Sequence, residues 1–297
     1  MVVQAVLLAV AGFVIGIFSG MLGIGGGTVI VPVLRLGFAF EAVAATATSL
    51  FTIIFTSIGG TITHLRNKTC IPQLGLCLGL GGAITSALGA YLGDASPSWA
   101  VMLAAACIII YSCYTMLRKA LKLPKDGVRK VAGAGATQDS QSRGHSGGKG
   151  EESSACAPAV AKTPKIDDLE FDFNWKKGLG GFGIGLIAGL ASGYVGVGGG
   201  FIMVPLMTAF LGVPMRKASG TSLVAIMILA IPGVITQFLL GNVNLVAGLC
   251  IAVGSIPGAM FGARFVKTIP ERRLRFIFAG FLAIAAVLLL LNEAGLL

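Results

Sequence analysis

Apolar residues run through this chain in long blocks, separated by short polar turns and by one long polar interval. Residues 41–63, 72–93 and 98–119 read as three long helices, and 216–239, 243–266 and 272–292 read as three more. A helix that spans the hydrocarbon of a bilayer needs about 20 mostly apolar residues, and these blocks meet that length. Two further apolar stretches, 1–20 and 177–193, stand ahead of the two sets. Both carry glycine at every fourth position: Gly12, Gly16 and Gly20 in one, Gly181, Gly185, Gly189 and Gly193 in the other. Small residues at that spacing let membrane helices approach closely. No basic residue precedes the first stretch as in a signal peptide, and its counterpart lies mid-chain, so residues 1–20 are expected to belong to the mature fold.

The two sets are copies. Gly23 and Gly196 stand 173 residues apart, and the same offset pairs Gly25, Gly26 and Gly27 with Gly198, Gly199 and Gly200. It also pairs Pro32 with Pro205, Thr48-Ser49-Leu50 with Thr221-Ser222-Leu223, and Gly89-Ala90 with Gly262-Ala263, with no gap between residues 12 and 90. Shared apolar composition cannot hold such a register, so the chain is read as a duplication. The expected organisation is a first transmembrane repeat over 1–120, a hydrophilic linker over 121–176 and a second repeat over 177–297. The linker contains ATQDSQSRGHSGGKGEESS and lacks the apolar surface needed to offset chain ordering, so it is expected to be flexible.

Basic residues in short loops mark the cytoplasmic side. The turn at Arg66 and Lys68 is basic, whereas its repeat equivalent near Gly241 is not; the turn at Asp94 is not basic, whereas its equivalent, from Arg264 to Arg275, is. Equivalent loops thus carry opposite bias. The halves are expected to be antiparallel, with both termini outside and the linker inside, a recurring plan for secondary transporters.

Each half contains one feature that an ordinary membrane helix avoids. SGMLGIGGGTVIVP at 19–32 returns as SGYVGVGGGFIMVP at 192–205. Glycine costs about 1 kcal/mol relative to alanine inside a helix, so three in succession predict a break. Broken backbone is tolerated at membrane depth only where protein or a water-filled cavity surrounds it. A short helix restarting near Thr28 or Phe201 presents N–H groups without intrahelical partners, and its dipole adds positive potential. Together these make an anion site from backbone. The candidate substrate-binding residues are therefore Gly25, Gly26, Gly27 and Thr28, with Gly198, Gly199, Gly200 and Phe201. Thr48, Ser49, Thr221 and Ser222 place hydroxyls inside apolar helices. These either donate to an oxyanion or bond their own helix backbone.

Charge and composition narrow the rest. Only 11% of the 297 residues are charged, 55% are hydrophobic, and none of the 12 acidic residues sits in the middle of an apolar block. A carboxylate proton relay and a membrane enzyme with a carboxylate or metal centre are both disfavoured; no catalytic residue, cofactor or metal site is expected. The net charge of +10 reflects loop lysines and arginines facing the cytoplasm, not a nucleic-acid surface. The six cysteines show no CxxC or Cys/His spacing and read as small apolar residues, although Cys77 and Cys250 are repeat equivalents. His64 and Gln237, also equivalents, fall at helix ends, where a capping role or, for His64, a proton-linked role fits. Arg264 either snorkels to the headgroups or attracts anions at the cytoplasmic mouth.

The motifs SGMLGIGGGTVIVPVL and ATATSL, repeated as SGYVGVGGGFIMVPLM and ASGTSL, resemble those of the TauE/SafE family of sulfite exporters. The likeness covers both halves and omits the linker. It implies transport of small sulfur oxyanions or organosulfonates, often export. The expectation is an all-α integral plasma-membrane protein that carries sulfite or an organosulfonate by alternating access, with the lipid bilayer and a small anion as its partners. A coupling ion, a proton or another, and a homo-oligomer are compatible with that reading. Rival readings are an anion channel and a non-transporting assembly partner acting through the linker.

Overall fold

Helices form where the apolar blocks run and stop where glycine, proline or asparagine interrupts them. The computed structural model describes residues 2–122, 175–266 and 268–293; most of the expected linker, with His145 and Cys156, lies outside the described residues. Those residues form ten helices: α1 (Val2–Leu22), α2 (Gly27–Phe38), α3 (Ala42–Arg66), α4 (Pro72–Ala95), α5 (Ser98–Lys122), α6 (Trp175–Val195), α7 (Gly200–Phe210), α8 (Met215–Leu239), α9 (Leu245–Phe265) and α10 (Glu271–Glu293). Local chemistry sets several ends. Pro72 opens α4 at a position where its missing N–H costs nothing. Asn244 caps α9 by accepting the Ala247 N–H at 3.0 Å.

Among the described residues, seven helices are long and apolar enough to cross a membrane. Their exposed faces support that placement. On α4, Leu76, Leu80, Ile84 and Leu88 form an exposed stripe, while Leu74, Leu78, Gly82 and Ser86 are buried. Such an apolar outer face suits lipid and not water. The protein is an all-α, integral, multi-pass membrane protein.

Met1–Leu121 and Phe171–Leu297 make one compact unit, and its packing exchanges elements between the halves. Helix α1 lies against α9, and α6 lies against α4. Helices α3 and α8 meet each other, and each also packs on the fourth helix of the opposite half, α9 and α4 respectively. The glycine stripes make the first two contacts possible. A Cβ at Gly12, Gly16 or Gly20 would collide with the carbonyl oxygens of Ile251, Ser255 or Ala259. A Cβ at Gly185, Gly189 or Gly193 would collide with those of Leu78, Gly82 or Ser86. Contacts advance in step along both chains, so each of these pairs is parallel. Gly60 instead meets Leu223, and Gly233 meets Leu50, so α3 and its equivalent α8 run in opposite directions.

The loops sort by charge. Asn67 Nδ2 donates to Ala263 O at 3.5 Å, and Arg216 donates to Ile269 O at 2.8 Å. The basic turn after α3, the start of α8 and the basic segment after α9 therefore share one end of the bundle. At the other end, Asn242 Nδ2 donates to Asp94 Oδ1 at 2.7 Å.

Two substitutions in α6 separate packing from helix propensity. Gly189→Ala forces backbone apart at the α4 contact and should sharply reduce the yield of folded protein, read by gel filtration and thermal unfolding in detergent. Gly183→Ala, where an added Cβ meets nothing within 4 Å, should be neutral or stabilise by up to about 1 kcal/mol.

Candidate functional site

The glycine clusters break the helices by conformation as well as by composition. Gly23, Gly25 and Gly26 have φ of 73°, 84° and 88°, and Gly196, Gly198 and Gly199 have φ of 71°, 89° and 65°. Side chains other than glycine rarely adopt this left-handed backbone. Gly26 and Gly199 are the N-caps of α2 and α7, and neither cap carries a side-chain hydrogen bond. At the start of α7 the Gly200 N–H already bonds Gly198 O at 2.7 Å, while from the third residue of each short helix onward the N–H groups bond the Gly26 or Gly199 carbonyl; donor capacity is left at the Thr28 and Phe201 positions.

The clusters touch each other. A Cβ at Gly27 would strike the Val197 carbonyl, and one at Gly200 would strike the Gly23 carbonyl. Ile53 and Ile226, themselves repeat equivalents near the midpoints of α3 and α8, close the space around them. Ile53 packs on Gly25, Gly27 and Gly198; Ile226 packs on Gly25 and Gly200. The N-terminal ends of α2 and α7 therefore meet near the centre of the bundle, with two isoleucines wedged against them.

Buried hydroxyls surround this junction. Ser19 lies beside Gly26, and Ser192 lies beside Gly199. Ser19 Oγ, Ser192 Oγ and Thr28 Oγ1 are buried and make no hydrogen bond; Ser49 Oγ on α3 and the hydroxyls of Ser57, Thr61 and Ser86 are buried and unpaired as well. Leaving such a group unpaired costs about 1–3 kcal/mol. A set of them at one place marks somewhere a polar ligand or water is accommodated. Ser222 is different: its Oγ donates to Gly23 O at 2.7 Å, with Ser219 O also at 2.8 Å. It thereby supplies a partner to broken backbone in the opposite half.

Thr48 and Thr221 have a framing task. Thr221 Oγ1 accepts the Ile71 N–H at 3.0 Å, and Thr48 Oγ1 accepts the Asn244 N–H at 3.1 Å. Each binds the residue just before the fourth helix of the other half, satisfying a donor that the helix cannot. His64 and Gln237 are likewise tied. His64 Nε2 donates to Gly20 O at 2.9 Å, and Nδ1 lies 2.8 Å from Thr69 Oγ1. Gln237 Nε2 donates to Ala90 O at 3.3 Å and Oε1 accepts from Asn242 at 2.8 Å. The pairs His64–Thr69 and Gln237–Asn242 obey the repeat offset. Each anchors a helix end to the turn that follows it, the capping alternative raised by the sequence. Arg264 is exposed and lies over the Phe261 ring at 5.8 Å.

The site's positive potential must therefore come mainly from backbone. A helix dipole contributes about 0.3–1 kcal/mol, up to about 2 where partly buried. Removing an ion from water costs several kcal/mol. A dipole alone does not offset that; the N–H groups of a helix start and the unpaired hydroxyls beside it must add to it. Among the described residues no group of three or more His, Cys, Asp or Glu is arranged to hold a metal ion. Sequence reasoning singled out the glycines and the Thr-Ser pairs but overlooked Ser19, Ser192, Ile53 and Ile226. The repeat register contained the signal, since both pairs keep the 173-residue offset.

Residues 8–289 match the family described as Sulfite exporter TauE/SafE. The chain belongs to the TauE/SafE family. It is accordingly a membrane transporter by family, not an enzyme. It is 27% identical to the probable membrane transporter protein YunE of Bacillus subtilis (strain 168), over 90% of this chain and 89% of that one. It is also 27% identical to the probable membrane transporter protein YdhB of the same organism, over 96% and 99%. A probable membrane transporter protein of Haemophilus influenzae is 25% identical over 95% and 96%. No solved structure matches the chain. In this TauE/SafE protein both glycine clusters fall within the matched region.

The framing assignments can be checked at one residue. His64→Gln imitates the second half and should keep the unfolding temperature close to wild type. His64→Leu leaves Gly20 O without its donor and should lower stability by about 1–3 kcal/mol, read by thermal unfolding in detergent.

Proposed function

We propose that this protein is a secondary transporter of small anions, sulfite or organosulfonate-type sulfur oxyanions. It works by alternating access around a midplane site formed by the N-termini of α2 and α7. The observation that carries the reading is the meeting of the two left-handed glycine clusters near the bundle centre, amid buried hydroxyls that have no partner. The halves are inverted repeats: α3 and α8 oppose one another, and each half contributes one helix pair to the packing of the other. The basic end of the bundle faces the cytoplasm. The short helices α2 and α7 are the returning arms of two hairpins that reach the membrane centre from opposite sides.

In this scheme Gly25, Gly26, Gly27, Gly198 and Gly199 present backbone donors, while the Gly200 N–H, which bonds Gly198 O, would have to be released to join them. Thr28 and Ser49 add hydroxyls, with Ser222, Thr48 and Thr221 holding the frame around them. Phe201 occupies the position in α7 that Thr28 occupies in α2. Ile53 and Ile226 seal the junction in the closed state, and their withdrawal to one side or the other opens it. The anion's charge is met by N–H groups, hydroxyls and dipoles, with no buried lysine or arginine required. That arrangement stabilises the anion without trapping it in an ion pair.

Sulfite flux into proteoliposomes tests this. Gly26→Val or Gly199→Val should abolish flux while protein still reaches the membrane, because valine fits neither the backbone conformation nor the space. Undiminished flux in either variant would remove that cluster from the site. The wild-type protein should show trans-stimulated counterflow, which a channel lacks. Sidedness has its own check. Cysteines introduced at Asp94 and Asn242 should react with impermeant maleimide from outside, and one at Lys68 only from the cytoplasm. Native Cys70 adds little background, since burial pushes its thiol above the usual range.

A further inference from the structure

The two short helices are equivalent in fold but not in surroundings. Thr28, the second residue of α2, is fully buried, and its Oγ1 has no partner. Phe201, at the same position in α7, is fully buried and fills its site with a ring. Ser19, beside Gly26, supplies a second unpartnered hydroxyl at the α2 start. Thr28 also lines a cleft of about 310 Å³ between α2 and α10, together with Val29, Pro32, Val33, Phe281 and Ile284. That volume lies at the small end of the range for ligand sites, about 300–1,000 Å³. Thr28 is the one polar side chain among the residues that line it.

An anion headgroup that reaches Thr28 Oγ1, which is fully buried in this state, would have its tail in the adjoining apolar cleft. Resting on the transport reading above, we infer that the anion binds one-sidedly, at the N-terminus of α2, and that its substituent lies in the α2–α10 cleft. The preferred ligand is an organic sulfonate with an unbranched apolar chain, in preference to bare sulfite. Thr28 Oγ1, Ser19 Oγ and the first N–H groups of α2 hold the sulfonate oxygens. Val29, Val33, Phe281 and Ile284 cover the chain. Phe201 blocks the matching position at α7, which explains why a duplicated fold would keep a single binding orientation.

The test uses the full-length protein in lipid nanodiscs, titrated calorimetrically with sulfite and with methane-, butane- and hexanesulfonate. Each methylene buried in the cleft should tighten binding by about fourfold, so affinity should rise along the series. Thr28→Val should weaken every member by a similar factor. Ile284→Trp, placed where the side chain is largely exposed, should fill the cleft. It should remove the increment in affinity from methane- to hexanesulfonate. Ala285 also lines the cleft, and Ala285→Leu reads the same increment should Ile284→Trp fold poorly.

Affinity that does not change with chain length, as when a phospholipid tail fills the cleft, overturns the inference and leaves anion transport standing. An increment that survives in both cleft variants also overturns it, since the chain then partitions elsewhere. Failure of sulfite and all three sulfonates to bind the wild-type protein would remove the transport reading as well.

Discussion

A broken helix in hydrocarbon must find partners for its exposed amides, and that demand organises this molecule. Each unsatisfied backbone group at membrane depth costs several kcal/mol. The chain meets the demand by placing its two breaks against each other. The Gly27 and Gly200 positions leave no room for a side chain between them and the opposite cluster. Ser222 gives its hydroxyl to Gly23 O, and Thr48 and Thr221 accept the amides that open α9 and α4. Nearly every one of these contacts crosses from one repeat to the other. Either half of the chain alone would leave its break uncovered, so the contact between the halves is a structural requirement.

The same exchange restricts how the molecule can move. Helix α1 is locked to α9, and α4 to α6, through glycine faces whose backbones touch. Contacts at that distance tolerate sliding poorly, because a residue shift brings a Cβ onto a carbonyl. Motion that opens the central junction must instead keep these pairs intact and move them as bodies, or displace the parts that rest on side chains. Ile53 and Ile226 are such parts. They sit on α3 and α8, touch the clusters through flexible methyl-bearing chains, and carry no hydrogen bond that closure must break.

Much of this was legible in the residues. Block lengths placed the long helices within a few residues, and the 173-residue offset identified which helices are equivalent. Glycine triplets located both breaks, because no other residue accepts those φ values at low cost. The pairing of α1 with α9 and α6 with α4 was not legible. Glycine at every fourth position announces a close contact without naming the partner, and the partner proved to lie in the other half. The tasks of Thr48 and Thr221 were hidden for a related reason. A hydroxyl in an apolar helix reads alike whether it meets a ligand or an amide 150 residues or more away. Ser19 and Ser192 were visible in the repeated motif, but only burial without a partner distinguishes them from ordinary helix serines.

Symmetry explains the frame, and departures from symmetry explain what the frame does. Where both halves need the same contact, the residues agree: Ser19 with Ser192, Ile53 with Ile226. Where they differ, the change alters chemistry at a fixed position. His64 and Gln237 differ in type and in the carbonyl they reach, Gly20 O in the same half for one and Ala90 O in the other half for the other, yet both bond the equivalent turn side chain, so that difference is tolerated by the fold. Thr28 and Phe201 do not substitute for one another in this way. One leaves an unpaired hydroxyl at a helix start beside an open cleft, and the other fills its place with a ring. A helix start attracts an anion only as far as the anion can approach it, because its field fades within the first turn. Two equal dipoles can therefore have unequal roles, and the side chain at the second helical position decides which of them a ligand reaches.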